Sequence, residues 1–120
     1  MKNIFNKPLK ICNNKKITGY NRNGYCSVNI NDTGKHFVCV KVTKKFLDFT
    51  FSQNNDLITP NIQNNFPGLR PGDLWCICIH RWIEAYNFNP NIAPFIIGES
   101  TSAEILKYVS QEIIENYLID

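Results

Sequence analysis

Cys76 and Cys78 stand one residue apart in the run "PGDLWCICIHRW", flanked by Trp75 and Trp82 and followed by His80 and Arg81. Three chemistries compete for such thiols. Free cysteines pack as small hydrophobes and are among the residues most often buried. Zinc takes four ligands with sulfur at ~2.3 Å, usually announced by cysteines two to four residues apart, so Cys-x-Cys is a weaker signal. A structural zinc site begun by Cys76 and Cys78 would have to be completed by Cys39, Cys26 or His36. Reactive sulfur needs a thiolate, hence a nearby cation, helix start or imidazole, together with access to solvent. Cys26 fits that description best: it follows the tight-turn pair Asn23-Gly24, near Arg22, with His36 as a base and Asp32 or Asp56 to orient it. No spacing rule builds this triad. Packing is the preferred reading for Cys76 and Cys78, so neither a metal nor a cofactor is expected.

The charged residues offer a different chemistry. Arg22, Arg70 and Arg81, with Asp56 and Asp73, would gather at the mouth of a pocket beneath "FPGLRPGD", with Trp75 or Trp82 as an aromatic wall. Such a site suits a small anionic ligand, since guanidinium pairs with carboxylate or phosphate through two hydrogen bonds. The competing reading is a set of internal salt bridges that hold the loop. Trp82 and Tyr86, four apart, have the spacing of a helix face turned to the core. Neither Pro-Gly turn opens a helix, so no phosphate-cradling loop is present.

These residues need elements to place them. "HFVCVKVT" alternates, setting Val38, Val40 and Val42 on one face and Phe37, Cys39 and Lys41 on the other, the period of a strand. "TKKFLDFTFSQN" changes to helical spacing, with Phe46, Leu47, Phe49 and Phe51 recurring three or four apart, Thr43 as cap and Asn54 as left-handed stop. From Asp56 to Pro71 the chain carries three prolines and reads as an ordered surface loop. "DLWCICIH" alternates again and predicts a second strand through His80, with Leu74, Cys76, Cys78 and His80 on one face. A short helix in "RWIEAY", a third strand in "APFIIGE" and a final amphipathic helix from Ser110 follow, while "AEILKYV" suits strand or helix equally. The strands bearing Cys39 and Cys76/Cys78 are expected in one sheet, because only then do two alternating runs share a core.

At 120 residues, with 43% hydrophobic and 19% charged positions, the chain fits a single globular domain. The expected fold class is α+β, a small mainly antiparallel sheet flanked by two or three helices. No apolar leader-like stretch and no 18-residue apolar run is present, so a cytoplasmic protein without membrane insertion is expected. In a reducing cytosol five cysteines predict free thiols and no disulfide framework. Residues 1–60 carry ten Lys/Arg and three Asp/Glu, residues 61–120 three and seven, so halves of +7 and −4 attract each other. A pI near 8.6 falls short of a nucleic-acid footprint, and no nucleic-acid partner is expected.

The segments "TGYNRNGYC", "HFVCVKVTKKFLDF", "NDLITP" and "FPGLRPGDLWCICIHRWIEAY" resemble the small, mainly bacterial proteins grouped as domain of unknown function 2237. The resemblance spans nearly the whole chain. It implies one small mixed domain with no established activity, and so assigns no catalytic residue. Positions that match the family's pattern are Cys12, Gly19, Arg22, Gly24, Cys26, His36, Cys39, Asn55, Asp56, Pro60, Asp73, Trp75, Cys76, Cys78, Arg81, Trp82 and Glu84. His80 falls on a variable position. Asn54 and Gly98-Glu99-Ser100-Thr101 depart from the pattern. The functional expectation is a small-ligand-binding or interaction module with its site under the Pro-Gly loop, beside the cysteine strand. A thiol-dependent enzyme centred on Cys26 and a structural zinc protein remain the alternatives.

Overall fold

The computed structural model describes residues 1–120. The first strand, β1 (Val38–Lys41), is the alternating run, with Val38, Val40 and Val42 at most 1% exposed. It is the middle strand of three. β2 (Leu74–Ile77) pairs antiparallel on one side with Cys39 opposite Cys76, and β3 (Phe95–Ile96) pairs antiparallel on the other with Val40 opposite Ile96. Three helices, α1 (Lys44–Ser52), α2 (Ile79–Phe88) and α3 (Gln111–Glu115), complete an α+β fold. No helix is long and apolar enough to cross a membrane.

The Thr43 hydroxyl accepts from the Phe46 amide and starts α1, and Asn54 at φ +64° ends it. The helix buries Phe46, Leu47 and Thr50. Phe51, expected on that face, lies about a quarter-turn from its centre and is 52% exposed.

β2 is shorter than the alternation predicts. Ile77 is its last residue; at Cys78 the chain turns, and α2 starts at Ile79. Ile79 therefore joins Trp82 and Ala85, three residues apart, on a buried helix face, and His80 sits exposed in the first turn rather than on a strand. A run such as "CICIH" satisfies both periods, and burial of Ile79 with Trp82 decides for the helix. Trp82 is fully buried, its indole N–H donates to Pro94 O at 3.0 Å, and Tyr86 stacks on it with centroids 5.6 Å apart.

The third strand and last helix are also trimmed. Ser110 caps α3, which lasts five residues before Tyr117–Ile119 runs back to the edge, where Tyr117 O accepts from the Ile96 amide. Ala103–Lys107 is a 3-10 turn capped by Ser102.

The expectation of free thiols needs correction. Cys12 is disulfide-bonded to Cys39 and Cys26 to Cys76, leaving Cys78 as the free cysteine. The odd count is met by two pairs and one remainder. Nothing in the local pattern shows that residues 12 and 26 fold back onto the two strands. Cross-links spanning 27 and 50 residues remove unfolded-chain entropy worth roughly 3.5–4 kcal/mol each, less than additively because the loops overlap.

Candidate ligand-binding groove

Residues 55–66, the turn Gly19–Arg22, the end of β2 and the start of α2 enclose an open groove of about 1180 Å³. The loop on one side is held by its own polar side chains. Asn55 donates to the Thr50 hydroxyl at 2.8 Å, and Asp56 Oδ1 accepts from the Ile58 and Thr59 amides, both at 2.9 Å. The Thr59 amide, then its hydroxyl and the Ile58 amide, hold the Asp56 carboxyl below its ordinary pKa. Gly68 closes the loop at φ +77°, where a Cβ would stand 2.5 Å from Ile58 O.

Trp75 forms the aromatic wall. Phe66 meets it edge-on at 5.3 Å, and the Arg22 guanidinium lies over its ring at 5.4 Å. Arg22 Nη1 donates to Gly19 O at 2.7 Å and Nη2 to Asn64 O at 3.0 Å, so one side chain ties the turn to the loop. Its Nε is buried and has no partner. Arg81, which lines the groove from α2, donates through Nη1 to Gln53 O at 3.2 Å and Glu84 Oε1 at 3.1 Å.

His36 also lines the groove, with its side chain 41% exposed. Its Nδ1 lies 2.7 Å from Asp32 Oδ1, and its amide donates to Asp32 Oδ2 at 2.8 Å. Asp32 is 4% exposed and fixes the imidazole with Nε2 as the nitrogen left free. Of the two carboxylates proposed from sequence to orient His36, Asp32 does so and Asp56 serves the loop.

Cys26 is not the exposed turn thiol that Asn23-Gly24 suggests. Gly24, at φ +90°, turns the chain inward, and its carbonyl accepts from the Cys12 and Asn13 amides. Cys26 ends fully buried, bonded to Cys76, and only Cys76 of that pair reaches the groove wall. The free Cys78 is half-buried in the groove and caps α2 by backbone alone.

Arg22, His36, Asp56, Trp75 and Arg81 thus come together, and three other candidates do not. Trp82 is core. Asp73 Oδ2 accepts from Lys16 Nζ at 2.6 Å and from the Arg70 amide at 2.8 Å, stapling the Pro-Gly turn to the N-terminal segment. Burial opposes ionisation of Asp73, but the Lys16 hydrogen bond, the Arg70 amide and both positive charges outweigh it and hold its pKa down. Arg70 is exposed and borders a second cavity of about 380 Å³ lined by Lys16, Lys44 and Pro67–Pro71. The larger groove lies under residues 55–66 and takes only Phe66 from "FPGLRPGD".

Sequence reasoning did not single out Asn64 or Cys78 for the groove. The αL residue Asn65, at φ +52°, turns the loop so that Asn64 O meets Arg22, and an Asn-Asn pair inside a long loop is the one local signal for it.

The family model for uncharacterised proteins conserved in bacteria, domain of unknown function 2237, matches residues 2–118. The chain belongs to that family. No curated protein matches it. Arg22, His36, Asp56, Trp75 and Arg81 line the groove of this member, and Cys12, Cys26 and Cys39 cluster with Cys76 of its wall.

Proposed function

We propose that this member of the family binds a small anionic ligand in the groove, in the cytosol, with Arg22 and Arg81 as its charged contacts and Trp75 as its apolar one. The observation that carries the reading is Arg22: its guanidinium is fastened over Trp75 while its buried Nε has no partner. An unpaired buried donor costs about 1–3 kcal/mol, and a shift of the side chain that opens Nε to a carboxylate or phosphate oxygen would recover it. Charge favours the same sign of ligand. Arg22 and Arg81 are the cations lining the groove; Arg81 is paired with Glu84 at 3.1 Å, whereas Arg22 donates only to carbonyls and has no carboxylate partner.

The test is calorimetric titration with a panel of small carboxylates and phosphate esters, repeated on Arg22→Ala and Arg81→Ala. Saturable binding by at least one member is expected, weakened about 10- to 100-fold in each variant, as fits the 1.5–3 kcal/mol of a charge-assisted hydrogen bond. No saturable heat across the panel, or equal affinity in both variants, would contradict the reading.

A second reading, thiol-dependent activity, is favoured by Cys78 sharing the groove with His36, whose ring Asp32 holds from outside it. It moves the sulfur chemistry from Cys26 to Cys78. Alkylation of Cys78 no faster than that of free cysteine at neutral pH would remove it.

A cytosolic location bears on the cystines. Persistent disulfides are rare in that compartment, and those found there are usually catalytic or redox-sensing.

A further inference from the structure

The geometry points to a second site: on reduction, Cys12, Cys26, Cys39 and Cys76 become a tetrathiolate metal site, with zinc(II) the cation it suits. The four sulfurs come from separate parts of the chain. Cys39 and Cys76 stand opposite each other on β1 and β2, Cys12 belongs to the N-terminal segment, and Cys26 follows the Gly24 turn. All four are at most 5% exposed and form a cluster of their own, with Leu74 and Ile97 packed against it.

The two cystines are not independent cross-links. The sulfurs of Cys12, Cys26 and Cys39 lie within 4.8 Å of one another, and Cys76 is bonded to Cys26. Four thiolates at ~2.3 Å around a tetrahedral zinc stand about 3.8 Å apart. Cys12, Cys26 and Cys39 are already near that scale, whereas Cys76 lies outside their 4.8 Å group and has to close on them, and each bonded pair has to open from ~2.05 Å to the same separation.

The backbone that carries the donors is fixed. The Cys39 amide donates to Thr101 Oγ1 at 3.0 Å and the Cys76 amide to Thr18 Oγ1 at 2.8 Å, and both threonines are fully buried. Two of the four ligand positions are thus held by hydrogen bonds that do not depend on the S–S bonds. Four cysteines with no open position are the donor set of a structural zinc site.

The chemistry balances with a dithiol as reductant. Each cystine takes up two electrons and two protons to give two thiols, while one reductant dithiol becomes a disulfide. Zinc then binds four sulfurs and releases four protons to solvent, leaving a complex of charge −2. Cys78 takes no part. The expectation of no zinc was drawn for Cys76 with Cys78, whereas Cys76 belongs here with three sulfurs distant in sequence.

The test uses the full chain, reduced anaerobically with a phosphine, moved to chelator-free buffer and titrated with cobalt(II), then zinc(II), while circular dichroism follows the fold. Expected is a tetrathiolate cobalt spectrum saturating at about one equivalent, displaced by zinc. Oxidation with diamide should restore both cystines and release the metal. Cys78→Ser should bind like the parent, and Cys12→Ser should lose more than the roughly 10- to 100-fold that follows removal of a mere supporting group. Absence of the tetrathiolate spectrum overturns the site, whether the reduced chain stays folded or unfolds and metal fails to refold it. Loss of binding in Cys78→Ser overturns it as well, since the ligand set would then be a different one.

Discussion

Cys39 and Cys76 are directly opposed on β1 and β2, yet neither is bonded to the other: each is joined to a cysteine from outside the sheet. Cys39 directs its N–H to Thr101 and its C=O to Ile97, and Cys76 directs its N–H to Thr18, which makes this a close, non-hydrogen-bonded strand pair. The consequence reaches the groove. Cys12 and Cys26 flank the Gly19–Arg22 turn, so the two cystines fasten that wall at both ends.

Reducing the chain in the presence of a chelator should therefore destabilise it by about 2–5 kcal/mol per cystine, short of full additivity. Urea unfolding with and without reductant measures this. A midpoint unmoved by reduction would show that the cross-links add nothing to the fold.

Thiol counting gives an independent check. The unreduced native chain should present one titratable thiol, at Cys78, and all five after denaturation and reduction. Rapid native labelling at Cys26 would contradict its placement in a buried cystine.

Val40→Asp should cost on the order of 3 kcal/mol or more, because Val40 is fully buried on the central strand and an aspartate there has no partner. An unchanged denaturant midpoint would contradict the position of β1.

Asp73 sets a pH dependence. Its folded pKa is depressed below the ordinary 3.8, so its contribution to stability is present above that value and is lost as pH falls through the lower folded value. Asp73→Asn should be less stable than the parent near neutral pH, and the difference should shrink as acidification protonates the native carboxyl. A difference independent of pH would assign the effect to packing rather than to the Lys16 pairing.

The strand at Val38–Lys41 and the Thr43-capped helix were legible because a single period and a single cap specify them. β2 was overextended because "CICIH" fits two periods, and only the burial of Ile79 beside Trp82 separates them. From the sequence, Arg22, Trp75 and Arg81 read as parts of one ligand pocket and His36 and Asp56 as partners of Cys26; the five line one groove, and Cys26, Arg70, Asp73 and Trp82 do not. The partners of Cys39 and Cys76 were not legible. Disulfide pairing is a long-range property, and an assumed reducing compartment argued against it.

The most direct test of the groove is a two-dimensional NMR titration of the labelled chain with the carboxylate and phosphate-ester panel. The account predicts saturating shifts at the Trp75 indole N–H, at Arg22 Nε and at Arg81, residues that line one groove, with little change at Lys44 and Arg70 around the smaller cavity. Shifts confined to Lys16, Lys44 and Arg70, or no saturating shift at Arg22 and Trp75 with any member of the panel, would contradict it.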